Sequence, residues 1–197
     1  DQVFINTSGI GRVVNNFTIK EIVPGDKIIV TGSIAEHGTT IAINQYNLKI
    51  KGDYQSDCAP LTEILQCLRD YSEDIKFMRD PTRGGVATVL NEISKHSGIG
   101  MHLYEKNIPI RAEVTAINEL LGLDPLYIAS EGRMILVVNG AKSKEILERI
   151  RKLRSCKNAG IIGEFIEDKN HHVIALNSFG GKRIITPLEG EMVPRIC

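Results

Sequence analysis

The sequence has no surplus of charge of either sign. Its 197 residues include 24 Lys and Arg and 24 Asp and Glu, so the formal net charge is zero. General nucleic-acid binding needs a basic surface, and this balance argues against it. No apolar run approaches the roughly 20 residues that span a bilayer, and no segment has the pattern of a signal peptide. We therefore expect neither nucleic acid nor a membrane as a partner.

Cysteine is scarce, and no two cysteines form a C-x-x-C pair. The four are Cys58, Cys67, Cys156 and Cys197. The histidines are scattered apart from one adjacent pair, so we predict no zinc or other metal site in this sequence. A disulfide framework is not expected at this length and density. Isolated thiols of this kind fit a reduced cytoplasm.

Strand-like and helix-like segments alternate along most of the chain. Turn residues around Pro24 predict a domain boundary there. Residues 1–24 are interpreted as the last strand and linker of a truncated N-terminal domain, residues 25–190 as a complete second domain, and residues 191–197 as a mobile tail. Strands are predicted over 3–7, 27–32, 75–78, 101–104, 134–138, 161–165, 173–176 and 183–186, and helices over 61–71, 84–97, 113–121 and 143–153. This mixing indicates an α/β or α+β layered sandwich, with a mixed sheet covered by helices.

The sequence ends on a cysteine. Cys197 follows Pro194, Arg195 and Ile196. At the free end of a mobile segment, a thiol can be handed from one site to another. The seven residues from Glu191 have a reach of roughly 23 Å when extended. This arrangement is typical of a carried substrate group rather than of a fixed catalytic residue.

The stretch RDPTRGG, residues 79–85, lies between a predicted strand and an amphipathic helix. Asp80 or Thr82 can cap that helix, and Arg83 can grip a phosphate or a carboxylate. Gly84 and Gly85 permit a close approach by a backbone or a ligand. A well-capped helix start without any ligand is the alternative. The segment lacks the Gly-x-x-x-x-Gly-Lys pattern of a Walker loop.

Three further positions have both a functional and a structural interpretation. Glu131 precedes a buried strand, where a carboxylate can act as a general base, although a solvated glutamate in a turn is the alternative. His37 falls in a predicted turn over 32–38 and either faces a site or makes one satisfied hydrogen bond. Cys58 is either a reactive thiol near a helix start or, as the commoner case, a small buried residue. The preceding Ser56 and Asp57 are explained without function as the N-cap of that helix.

Six stretches together resemble the HypE family of hydrogenase expression/formation proteins, the carbamoyl dehydratases of [NiFe]-hydrogenase maturation. In chain order they are FINTSGIG (4–11), VTGSIAEHGTTIA (30–42), SDCAPLTEILQ (56–66), RDPTRGGV (79–86), LLGLDPLYIASEGR (120–133) and PRIC (194–197). The terminal PRIC is the most specific of them. The family is similar to aminoimidazole ribonucleotide synthetase, which implies the C-terminal domain of that fold and an ATP site between paired subunits of a homodimer.

The resemblance implies a reaction. The carbamoyltransferase HypF places a carbamoyl group on the thiol of Cys197, and ATP drives its dehydration to a thiocyanate. The cyanide then passes to iron on the HypC–HypD complex. The resemblance assigns Glu131 as the base, working with a lysine from the N-terminal half. It places an active-site loop near ATP, formed by Asp80, Thr82, Arg83, Gly84 and Gly85, together with His37.

The resemblance also limits what is expected of this chain by itself. In such proteins the N-terminal half carries most of the ATP-binding carboxylates and the Mg²⁺ ligands. We therefore expect the present chain alone to bind ATP weakly or not at all, and to be inactive. Glu36, where many relatives have Asp, and Pro81, where many have Ala, are mild departures.

Two other functions remain open. One is a related ATP-dependent synthetase that acts on a free small molecule such as a purine or thiamine precursor. The other is a non-catalytic carrier or interaction module whose tail only docks to a partner. Cys197 argues against the first, because an enzyme with a soluble substrate has no use for a terminal thiol. The role of Glu131 separates the second from a dehydratase.

Overall fold

A seven-stranded mixed sheet organises the described part of the chain, which comprises residues 6–10, 17–52, 54–188 and 190 of a computed structural model. The spatial order of the strands is β2-β4-β1-β5-β3-β6-β7. Their bounds are β1 Lys27–Val30, β2 Ile75–Arg79, β3 Gly100–Tyr104, β4 Ile135–Val138, β5 Gly160–Ile166, β6 Val173–Leu176 and β7 Lys182–Ile184.

Strand β1 lies inside the sheet, between β4 and β5 and antiparallel to both. All four residues of β4 are buried, which explains its uninterrupted apolar sequence Ile-Leu-Val-Val. The ladder between β1 and β4 aligns Lys27 with Val138 and Val30 with Ile135. Within the described residues, β3 and β6 form the one parallel pair. The sheet is therefore mixed, as predicted.

Helices cover both faces of this sheet. Alternate residues of β1 divide between them: Ile28 and Val30 contribute to one apolar core and Ile29 to the other. The first core includes residues of α3 and α4, and the second includes residues of α2 and α5. The helices are α1 Glu36–Gln45, α2 Thr62–Cys67, α3 Gly85–Ser97, α4 Ala112–Leu121 and α5 Ser143–Arg151. The layered sandwich expected from the sequence is confirmed.

Apolar periodicity explains why the main helices were predictable. In α3, Val86, Val89, Leu90 and Ile93 recur at helical spacing, and all four are buried. The helix ends at Gly98, which adopts a left-handed conformation with φ of 74°. The predicted helix over 61–71 is shorter, because α2 stops at Cys67 and a separate 3₁₀ turn follows.

Helix α1 was not predicted from the sequence. The turn predicted over 32–38 was wrong for residues 36–38, which belong to α1. The buried residues of α1 are Glu36, Gly38, Thr39 and Ala42. Because these residues are small or polar, the helix has no apolar stripe from which its period could be recognised. Small side chains instead allow the helix to pack closely on its neighbours.

Several predictions concern residues that the structure does not describe or does not test. Residues 3–5 of the first predicted strand and the whole tail 191–197, including Cys197, lie outside the described residues. Asn6 and Thr7 are described and belong to no strand. The boundary near Pro24 stays a prediction. The segment before it contacts the sheet edge, since the Lys20 amide donates to the Lys76 carbonyl at 2.9 Å.

The described residues contain no helix whose length and apolar character would let it cross a membrane. Cys58, Cys67 and Cys156 are free thiols. Cys58 is exposed, which corrects the expectation that it is buried.

Phe165 is among the largest fully buried side chains and gives a test of the first core. Phe165→Ala should lower the free energy of unfolding by about 3–5 kcal/mol, because it removes apolar burial and leaves a cavity. Phe179→Ala is the matched control: that ring is 97% exposed, and its removal should change stability by less than about 0.5 kcal/mol. Urea unfolding followed by far-UV circular dichroism measures both values. Equal losses in the two variants would contradict this account of the core.

Candidate functional site

Residues 130–133, which we call the central loop, connect three other segments of the chain. The Ser130 amide donates to the Pro81 carbonyl at 3.0 Å. The Glu131 amide donates to Asp57 Oδ1 at 3.1 Å. Arg133 Nε donates to the Ser33 carbonyl at 2.8 Å. Four stretches that are distant in sequence therefore meet at one place.

The central loop leads into β4 at the point where β1 and β4 separate. The Thr31 amide still donates to the Met134 carbonyl at 3.1 Å. The Met134 amide, however, donates to the Thr31 side-chain Oγ1 at 2.9 Å rather than to a backbone carbonyl. A side chain thus ends the ladder, and the two strands diverge into the loops that form the site.

Arg133 lies between two buried carboxylates. Its Nη2 is 3.2 Å from Glu36 Oε2, and its Nε is 3.6 Å from Asp57 Oδ2. The side chains are 12% exposed for Arg133, 11% for Glu36 and 0% for Asp57. Within the described residues, Asp57 Oδ2 is a buried atom without a hydrogen-bond partner. One cation therefore faces two acids in a place with little access to water.

This environment raises the pKa of both acids. For Glu36 the largest cause is burial, reinforced by the charge of Asp57 and opposed by Arg133. For Asp57 burial again dominates, opposed by the hydrogen bond from the Glu131 amide and by the charge of Arg133. Burial in this cluster thus disfavours the charged form of both carboxylates.

Glycine allows the central loop to approach its neighbours closely. A Cβ atom on Gly132 would lie 1.8 Å from the Asp57 carbonyl oxygen and 2.9 Å from the Ala59 nitrogen. No side chain fits between these backbones. The position of Glu131 therefore depends on having glycine at the next residue.

Glu131 itself is half-buried, and its backbone is fixed by Asp57. Among the described residues, its side-chain carboxylate has no hydrogen-bond or ion-pair partner. A carboxylate that is held in place but not engaged can accept a proton from a bound molecule. This geometry agrees with the candidate base predicted from the sequence, and the role stays a prediction.

The loop over 79–85 lies beside the central loop through the contact from Ser130 to Pro81. The N-cap of α3 is Gly84, in a left-handed conformation, and no side chain caps the helix. The prediction that Asp80 or Thr82 caps it was wrong. The Thr82 carbonyl instead accepts from the Gly85 amide at 3.0 Å. A local turn therefore replaces the predicted cap.

Two charged side chains of this loop remain available to a ligand, whereas a third, Arg79, forms an ion pair with Glu92. Asp80 and Arg83 are exposed. Neither has a side-chain partner in the part of the chain that the structure describes. Gly85 packs against the backbone of residues 126–128, where a Cβ atom would lie 2.5 Å from the Leu126 carbonyl oxygen. The loop is thus held by its backbone, and Asp80 and Arg83 face solvent.

His37 lies on α1 and not in the predicted turn. Its Nδ1 is 2.7 Å from Ser56 Oγ, which joins the start of α1 to the segment that carries Asp57. The expectation of one satisfied hydrogen bond for His37 agrees with this contact. Immediately before α1, Ala35 has φ of 68°, and its amide donates to Ser130 Oγ at 2.8 Å. A left-handed alanine is strained, and such strain persists only where the surroundings enforce it.

Sequence reasoning missed the ion cluster. Asp57 was interpreted as a helix cap, but the N-cap of α2 is Leu61 and Asp57 accepts from Glu131 instead. The available signal was Arg133 itself, an arginine directly before an uninterrupted apolar strand. A cation at such a place needs a buried acid as partner. Its acids are 76 and 97 residues away, so the sequence did not identify them.

The described fold agrees with comparisons to known proteins. Residues 23–175 match the model of the family described as AIR synthase related protein, C-terminal domain. The chain belongs to this family. Phosphoribosylformylglycinamidine synthase PurL from Thermotoga maritima in complex with ATP superposes with a TM-score of 0.57 at 19% identity over 88% of this chain and 27% of that chain, which shows the shared fold alone.

Curated relatives include the carbamoyl dehydratase HypE of Azotobacter vinelandii, 39% identical, and that of Cupriavidus necator, 41% identical. Each match covers 100% of this chain and 58% or 57% of the relative. A solved HypE in complex with ATP has a TM-score of 0.83 and 35% identity over 90% of this chain and 54% of that one. A HypE–HypF complex gives 0.82 and 37% over 87% and 55%. The resemblance to HypE is confirmed.

The two buried acids give a test by pH. A carboxyl group whose folded pKa is raised stabilises the fold fully at acidic pH, and this contribution is lost as pH rises through the folded pKa. Relative to the double variant Glu36→Gln/Asp57→Asn, the unmodified chain should therefore gain stability as pH falls from about 8 to about 4. Urea unfolding at several pH values measures the difference.

The control for this test replaces two exposed acids, Asp70→Asn with Glu148→Gln, which causes the same change in net charge. This control should leave most of the pH dependence in place. If the unmodified chain instead loses stability relative to Glu36→Gln/Asp57→Asn as pH falls, the proposed electrostatics of the cluster are wrong.

Proposed function

We propose that this protein acts in [NiFe]-hydrogenase maturation as an ATP-dependent carbamoyl dehydratase that carries its substrate on Cys197. The similarity to HypE proteins supports the proposal, although the chain spans only 57–58% of the curated relatives cited above. The observation that carries it is the position of Glu131. Its carboxylate has no partner among the described residues, on a loop fixed to Asp57 and next to residues 79–85.

In the proposed reaction the carbamoyl group is bonded to the Cys197 sulfur. The amide oxygen attacks the γ-phosphorus of ATP, and ADP leaves. The nitrogen loses one proton as this oxygen becomes phosphorylated, and the second as the carbon–oxygen bond breaks. Phosphate departs, a carbon–nitrogen triple bond forms, and the thiocyanate remains on sulfur. Of the two protons, one ends on phosphate and the other in solvent.

Glu131 is the proposed acceptor of the protons from nitrogen, together with a lysine from the N-terminal half. A general base has to be fixed within hydrogen-bond reach of the proton that it removes. The bond from the Glu131 amide to Asp57 supports this role, since it holds the backbone on which the carboxylate is mounted. Arg133 keeps Asp57 in place.

The loop over 79–85 is proposed to lie near the phosphates of ATP. Arg83 can form charge-assisted hydrogen bonds to phosphate oxygens, and Asp80, Thr82, Gly84, Gly85 and His37 complete the loop and its surroundings. Within the described residues, no group of three or more His, Cys, Asp or Glu side chains could hold a metal ion. The resemblance to HypE is the basis for assigning the Mg²⁺ that accompanies ATP to ligands of the N-terminal half.

The partners follow from the same proposal. HypF supplies the carbamoyl group, and the existence of a solved HypE–HypF complex supports this assignment. The HypC–HypD complex receives the cyanide. The full-length protein acts as a homodimer in the cytoplasm.

The role of Glu131 can be tested by mass. In full-length protein, Glu131→Gln should leave carbamoylation of Cys197 by HypF intact and slow the ATP-dependent loss of water at least about 100-fold, since a general base contributes 10²–10⁴-fold. Intact-mass spectrometry of the C-terminal peptide, after incubation with HypF, carbamoyl phosphate and ATP, follows both steps.

Glu148→Gln, an exposed change of the same kind on α5, is the matched control and should behave as the unmodified protein. Normal thiocyanate formation in Glu131→Gln would remove Glu131 from the mechanism. Carbamoylation without any loss of water in the unmodified protein would support a carrier instead of an enzyme.

The division of the ATP site gives a separate prediction. Because most ligands of ATP are assigned to the N-terminal half, the 197-residue chain alone should bind ATP weakly or not at all. Isothermal titration calorimetry with ATP and Mg²⁺ measures this affinity. A dissociation constant in the low micromolar range would show that the described residues form most of the site.

A further inference from the structure

A concave region with a volume of about 450 Å³ lies beside the candidate site, with which it shares Ser33. The residues that matter most in its lining are Ser33, Lys106, Arg111, Arg151, Lys157 and Asn158, and we call it the basic cleft. Its volume is within the range of small-molecule sites. No role assigned above to Glu131 or to residues 79–85 uses this cleft.

The charges of the basic cleft are poorly neutralised. The lining includes four basic residues and no acidic one, although the chain as a whole has a net charge of zero. Arg111 has carboxylates nearby, with Glu113 at 3.6 Å and Glu36 at 4.0 Å. Among the described residues, Lys106, Arg151 and Lys157 have no carboxylate within ion-pair distance. Three positive groups are therefore left for an anion from solution.

Arg151 is held in position for such an anion. Its Nε donates to the Ala159 carbonyl at 2.9 Å, which fixes the guanidinium group at the wall of the cleft. Within the described residues, its Nη1 and Nη2 have no partner. A guanidinium with two free terminal nitrogens matches the spacing of two oxygens of a phosphate group.

Hydrogen bonds also hold the walls of the cleft. The Ile34 amide donates to the Pro109 carbonyl at 2.9 Å. Asn158 Nδ2 donates to Ser33 Oγ at 3.1 Å. A cleft formed before the ligand arrives loses less entropy on binding.

We propose that the basic cleft is a binding site for a small oxyanion of the phosphate class. The anion contacts Arg151 through paired hydrogen bonds, and Lys106 and Lys157 add attraction as point charges. Ser33 connects the two sites, because its Oγ accepts from Asn158 in the cleft and its carbonyl accepts from Arg133 beside Glu131.

Inorganic pyrophosphate is the probe for this proposal. Isothermal titration calorimetry with the 197-residue chain at low ionic strength should give saturable binding of one equivalent. The dissociation constant should lie above the low micromolar range. Arg151→Gln should weaken it at least about tenfold, and Arg151→Lys nearly as much, since lysine keeps the charge and loses the paired donors. Lys157→Gln removes an exposed side chain that makes no bond within the described fold, and should weaken binding severalfold without unfolding the chain.

Two controls make the test specific. Lys169→Gln causes the same change in net charge at an exposed position that does not line the cleft, and should leave the affinity unchanged. Glu131→Gln should also leave it unchanged, so failure of the proposed dehydratase mechanism does not affect this test. The proposal is overturned if pyrophosphate does not saturate, if Lys169→Gln weakens it as much as Arg151→Gln, or if an acidic peptide binds and pyrophosphate does not.

Discussion

The contacts of Arg133 are the interaction on which the candidate site depends. This side chain joins the backbone after β1, the first turn of α1 and the segment before α2, and it does so from a position two residues before β4. Arg133 therefore holds the loops of the site together, as the apolar cores hold the helices against the sheet.

Burying the carboxylates of Glu36 and Asp57 beside Arg133 costs free energy. Two carboxylates lose most of their water and share one cation, which raises the pKa of both. A buried ion pair of this kind adds little net stability, but removal of one partner leaves a charge that nothing compensates. The cluster is thus better explained by the need to place Glu131 and its neighbours than by the stability of the domain.

Most of the fold could be predicted from the sequence, because its main elements carry a strong apolar period. Helix α3 and strand β4 each bury a run of large aliphatic residues, and both were predicted close to their observed bounds. Helix α1 could not be recognised, because its buried face consists of Glu36, Gly38, Thr39 and Ala42. The candidate site divides in the same way: Glu131 and residues 79–85 stand out in short motifs. The acids that hold Arg133 do not, since an ion pair between distant residues leaves no local pattern.

Thr31 connects the formation of the sheet with the formation of the site. Its hydroxyl group accepts the bond from the Met134 amide that would otherwise extend the ladder between β1 and β4. One side-chain oxygen thus satisfies the last amide of this strand pair and sets the point at which the two strands part. The site around Glu131 is therefore not an addition to a finished sheet. We expect it to form and to unfold together with the pairing of β1 and β4.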